Sequence, residues 1–79
     1  MEATSMEINN ALSRAIRSGR KTQWDIAEGI ADNLRHLKGY NFVAYPMDNG
    51  KKIQIGEKVY KLNKEGSRGG GFEWWVTKL

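Results

Sequence analysis

The hydrophobic period of this chain changes once, at Gly39, and that change constrains the fold more than any other feature. Before it, Ile8, Ala11, Leu12, Ala15 and Ile16 recur at helical offsets, and a second stripe runs through Ile26, Ala27, Ile30, Ala31, Leu34 and Leu37. After it, short runs of branched and aromatic residues alternate between turn signals, which is the pattern of antiparallel strands. The chain therefore reads as an α+β protein in the order α-α-β-β-β-β. A helical hairpin lies on one face of a 3–4 stranded antiparallel sheet, so that both stripes and one sheet face share a core.

The boundaries follow from local chemistry. Thr4 or Ser5 caps a helix over 5–18, and Glu7 stands where a capping box needs a carboxylate. A helix over 23–38 follows Thr22, with Asp25 in its first turn and Arg35, His36 and Lys38 in its last, as the macrodipole favours. Gly29 lies inside it at a cost of ~1 kcal/mol relative to Ala, which points to close approach of another backbone. Tyr40–Pro46 reads as a strand whose end Pro46 puts at an edge or in the turn, and Asp48-Asn49-Gly50 as a hairpin turn. A second turn at Gly56-Glu57 repairs a phase break. It sets Ile55 opposite Lys58 and Ile53 opposite Tyr60, and gathers Ile53, Ile55, Tyr60 and Leu62 on one face. A glycine-rich connection over 66–71 leads to a last strand, Phe72 to Leu79. The expected core is Ile8, Leu12, Ile16, Ile26, Ile30, Leu34, Ile53, Ile55, Leu62, Phe72 and Trp74.

With 79 residues and no cysteine, residues 1–79 make one small domain without disulfide staples. The opening Met1-Glu2-Ala3-Thr4 lacks the layout of a secretory signal and no long apolar run follows. A cytoplasmic protein without membrane contact is expected.

Catalytic signals are sparse. Asp25, Glu28 and Asp32 share a helical face, but Arg35 or His36 is placed to pair with Asp32, and no further ligand is implied. His36 has no nucleophile motif beside it. The glycine-rich segment opens a strand, unlike a phosphate-binding loop, which opens a helix. No cofactor, no metal and no enzymatic activity is expected.

Thr22 to Glu28 is similar to the opening of the second helix of a helix-turn-helix, and a basic hairpin follows as a wing would; a winged helix-turn-helix is the alternative architecture. It requires a break near Ala31, where the helical period instead continues.

Binding remains as the reading. No acid occurs from Asn9 to Trp24, while Arg14, Arg17, Arg20 and Lys21 fall at the end of the first helix and in the following turn. On the sheet, Lys52 opposes Lys61, and Trp75 falls on the same outer face, as stacking platforms for single-stranded nucleic acid require. Arg68-Gly69-Gly70 has, in one copy, the composition of arginine–glycine segments that contact RNA. Arg14, Arg17, Arg20, Lys21, Lys52, Lys61, Arg68 and Trp75 are thus the expected contacts of a small basic nucleic-acid-binding module. The alternative is a protein-interaction module, an inhibitor or adaptor of the kind phages and other mobile elements encode, with Trp75 as anchor. A homodimer is compatible with either, because a small core and open sheet edges favour self-association.

Overall fold

The computed structural model describes residues 2–66 and 68–79, so Ser67 of the glycine-rich connection and Met1 lie outside the described residues. The element order is α1 (Ser5–Arg17), α2 (Gln23–Lys38), β1 (Ala44–Met47), β2 (Lys52–Ile55), β3 (Lys58–Gly66) and β4 (Phe72–Lys78), with a 3-10 turn at Asp48–Gly50. The four strands form one antiparallel sheet in the order β1-β2-β3-β4. α2 packs across β1, β2 and β3, while α1 packs on α2 and leans on β4.

Both helices start where a side chain replaces a missing backbone acceptor. The Thr4 hydroxyl accepts from the Glu7 amide at 3.1 Å, and the Glu7 carboxylate accepts from the Thr4 amide at 2.8 Å, closing a capping box. Thr22 caps α2 in the same way, accepting from Asp25 N at 3.1 Å. α2 is one unbroken helix of 16 residues, which excludes the winged helix-turn-helix alternative.

The core gathers Ile8, Ala11, Leu12 and Ala15 of α1, the stripe Ile26, Ile30 and Leu34 of α2, and Ile53, Ile55 and Leu62 of the sheet. The strand register is the expected one, with Ile53 opposite Tyr60, Ile55 opposite Lys58 and Lys52 opposite Lys61. Four expectations are corrected. The first strand begins at Ala44, because Phe42 N bonds back to Gly39 O at 3.0 Å and the resulting turn tucks Phe42 into the core. Ile16 is 40% exposed, since the buried stripe of α1 ends at Ala15. Phe72 is 55% exposed and Trp74 half-buried, because the β3–β4 hairpin runs on past the last β2–β3 pair and its tip projects beyond the helices. Finally, Gly29 accommodates side chains and not a backbone: a Cβ there would lie 2.6 Å from Arg20 Cδ and 2.8 Å from Ala15 Cβ.

Among the described residues no helix is long and apolar enough to cross a membrane.

Candidate nucleic-acid interface

Strand alternation sends Tyr45, Met47, Lys52, Gln54, Val59, Lys61, Asn63, Trp75 and Thr77 to the sheet face away from both helices. Among the described residues no second layer covers that face. Two aromatic side chains stand on it, Tyr45 at 48% exposure and Trp75 at 42%, with the Lys52–Lys61 pair between their rows. Like charges placed directly opposite on neighbouring strands repel, so this pair has a lower energy when an anion lies across it.

Trp75 is held from below. Asn63, its cross-strand neighbour, donates from Nδ2 to the Trp75 carbonyl at 3.3 Å and to Thr77 Oγ1 at 2.8 Å, which orders β4 along this face. Beside Trp75 opens a cleft of about 360 Å³ lined by Gln23, Lys51, Lys61, Leu62, Asn63, Lys64 and Trp75. It exists because β2 begins at Lys52 while β3 continues to Gly66, leaving the edge of β3 beyond Leu62 without a strand partner. The N-terminus of α2 closes the gap, and Gln23 Nε2 bonds the Leu62 carbonyl at 3.0 Å. Three lysine side chains and a tryptophan therefore line one depression whose lining includes no carboxylate. The nearest acids on the face, Glu65 and Glu73, oppose each other one row further toward the hairpin tip.

Of the eight residues expected from sequence, Lys52, Lys61 and Trp75 share this face. Arg14, Arg17 and Lys21 are exposed on the helical layer, on the other side of the sheet. Lys21 does not line the cleft but precedes by two residues Gln23, which does. Arg20 is differently placed. Its stem lies over Gly29, its Nη1 donates to Asp25 O at 3.0 Å, and its guanidinium is 3.7 Å from Glu28 and 3.6 Å from Asp32. Arg35 also binds Asp32, so the acidic face of α2 is neutralised from two sides. Arg68 is exposed in the β3–β4 connection, apart from the cleft.

Sequence reasoning missed Lys51, Lys64 and Gln23. Lys51 sits in a turn and Lys64 faces the helical side, its ammonium 4.1 Å from the Phe72 ring centroid and 5.6 Å from that of Trp74. Only the missing strand partner beside β3 lets both reach the same opening. The residual periodicity of β3, running past the end of β2, was the available signal.

Comparison with known proteins finds no matching family model, no matching curated protein and no matching solved structure.

Proposed function

We propose that this chain is a small, non-enzymatic nucleic-acid-binding module that takes a single-stranded segment across the open sheet face. The observation that carries this reading is the cleft in which Lys51, Lys61, Lys64 and Trp75 meet without a carboxylate. The ammonium groups hold backbone phosphates while the indole stacks on a base, a combination that tolerates any sequence because every base has a π face. From the cleft the strand runs toward Lys52 and Tyr45 and away from the acids of the hairpin tip. Lys21, Arg17 and Arg14, on the helical layer, add a long-range positive field that raises affinity without base contact. Arg20 belongs to the fold, since its charge is already matched by α2.

Titration of labelled single- and double-stranded oligonucleotides at about 50 and about 200 mM salt tests the proposal. Three phosphate contacts on a single strand give a slope of log K against log salt of about −2. Trp75→Ala weakens single-strand binding by ~1–3 kcal/mol, and Lys61→Ala lowers the magnitude of the slope by about 0.7. Arg17→Ala weakens single strand and duplex alike. Absence of binding tighter than about 100 µM at the lower salt contradicts the proposal.

One observation favours a protein partner instead. Leu37, Tyr40 and Val43 are exposed together around the turn after α2, with Tyr40 at 83%. Capture from lysate that survives nuclease treatment and is lost in Tyr40→Ala supports that second reading.

A further inference from the structure

The two edges of the sheet are built differently. On β1, Gly56 N donates to Val43 O at 2.8 Å, so Tyr45 and Met47 bond inward to β2 while Ala44 and Pro46 turn their backbone groups outward. That edge is closed twice. Pro46 has no N–H to offer, and Arg35 donates from its guanidinium to the Ala44 carbonyl. On β4, Leu79 N donates to Val59 O at 3.1 Å, so Glu73, Trp75 and Thr77 bond inward to β3. Phe72, Trp74, Val76 and Lys78 therefore turn their N–H and C=O groups outward along an edge of 7 residues without proline. Among the described residues, no side-chain hydrogen bond closes it as Arg35 closes β1.

The sequence of that edge is complementary to itself. In an antiparallel pairing about a two-fold axis at residue 75, Trp74 of one copy opposes Val76 of the other, and Phe72 opposes Lys78. Glu73 opposes Thr77, and Trp75 opposes its own copy. The outward-bonding residues then pair with one another, as the hydrogen-bond alternation requires, and Trp75 falls at a non-hydrogen-bonded position where side chains approach most closely. Lys78 is supplied with a partner as well. Glu2 makes its direct ion pair with Lys58 at 2.9 Å, and the pairing sets Lys78, the second cation beside it, against an exposed aromatic ring.

We propose that β4 is a dimerisation edge, on which a second copy of this chain pairs antiparallel through Phe72–Lys78 to double the sheet. About eight backbone hydrogen bonds form, and the exposed Phe72 and Trp75 are covered from the side. This inference is independent of nucleic-acid binding, because every measurement that tests it is made on the protein alone.

Sedimentation equilibrium of the nuclease-treated chain gives a concentration-dependent dimer. Val76→Pro removes an outward N–H without touching the β3–β4 ladder, and raises the dimer dissociation constant about tenfold or more while the circular dichroism of the monomer is retained. The chain has no cysteine, so single replacements report the register directly. Trp75→Cys places two thiols on the axis at a Cα separation of about 4.5 Å, within disulfide reach, and cross-links on mild oxidation. Thr77→Cys leaves them about 13 Å apart and does not. If Val76→Pro fails to fold, the cysteine pair decides the question alone. A chain that stays monomeric to about 500 µM, a dimer indifferent to Val76→Pro, or equal cross-linking of the two cysteine variants overturns the proposal.

Discussion

Gly50 illustrates how much of this fold rests on single positions. Its φ of +90° follows two further left-handed residues, Asp48 at +51° and Asn49 at +57°, and a Cβ there would lie 2.6 Å from both Cα and N of Trp24. Backbone strain and collision with the start of α2 act together, so Gly50→Ala is expected to cost ~2–5 kcal/mol in urea unfolding. Gly29→Ala separates two opposed effects. It gains ~1 kcal/mol of helix propensity, but the new methyl meets Ala15 Cβ at 2.8 Å and the Arg20 stem. Arg20 can swing away, whereas Ala15 moves only with α1. A net loss of ~1–2 kcal/mol is expected, together with release of Arg20 from Glu28 and Asp32.

Glu7 carries a pH dependence. The Thr4 amide, and after it the Lys38 ammonium at 2.9 Å, hold its carboxyl below the ordinary value of 4.5. Its folded pKa is thus lower than its unfolded one, so the stabilisation is complete above the ordinary value and is lost as pH falls through the depressed one. Glu2, held down by Lys58, acts in the same sense. Thermal melts of Glu7→Gln should therefore show a shallower loss of stability than the parent chain below about pH 4.5.

Among the elements, α2 carries the core, since Ile26, Ile30 and Leu34 are almost fully enclosed between α1 and three strands. Leu34→Ala is expected to cost ~2–5 kcal/mol, and Ile16→Ala, on the exposed end of the α1 stripe, less than about 1 kcal/mol. Equal effects in denaturant melts would contradict this burial pattern. The contrast also shows what the sequence made legible. Both helices, their caps and the Gly56-Glu57 turn were readable because periodicity, capping and register are local, and a slip of one residue at that turn would have exposed Ile53 and Ile55. Ile16, Phe72 and Trp74 were not, because their burial depends on where a different element stops. Nothing in the sequence near Phe72 says that β2 ends too early to support it. Lys51 and Lys64 escaped notice for the same reason: a turn residue and an inward-facing strand residue share an opening only through the difference in length between β2 and β3.

At the scale of the molecule, the protein has one covered and one open sheet face. The helices bury the first, and on the helical layer Arg20 and Arg35 are matched against the acids of α2. The second presents Tyr45, Lys52, Lys61 and Trp75, and the projecting β3–β4 hairpin adds the cleft at its root. The most direct measurement of the function proposed for that face uses the three tryptophans as reporters. Each indole N–H gives its own resonance, separate from the backbone amides, and Trp24, Trp74 and Trp75 lie respectively at the start of α2, on the inner face of the hairpin and on the open face. On addition of a short single-stranded oligonucleotide at low salt, the Trp75 indole and the backbone amides of Lys61 and Asn63 should shift most, and the Trp74 indole less. An unmoved Trp75 in a spectrum that otherwise changes, or no change at all at saturating oligonucleotide, would contradict the account.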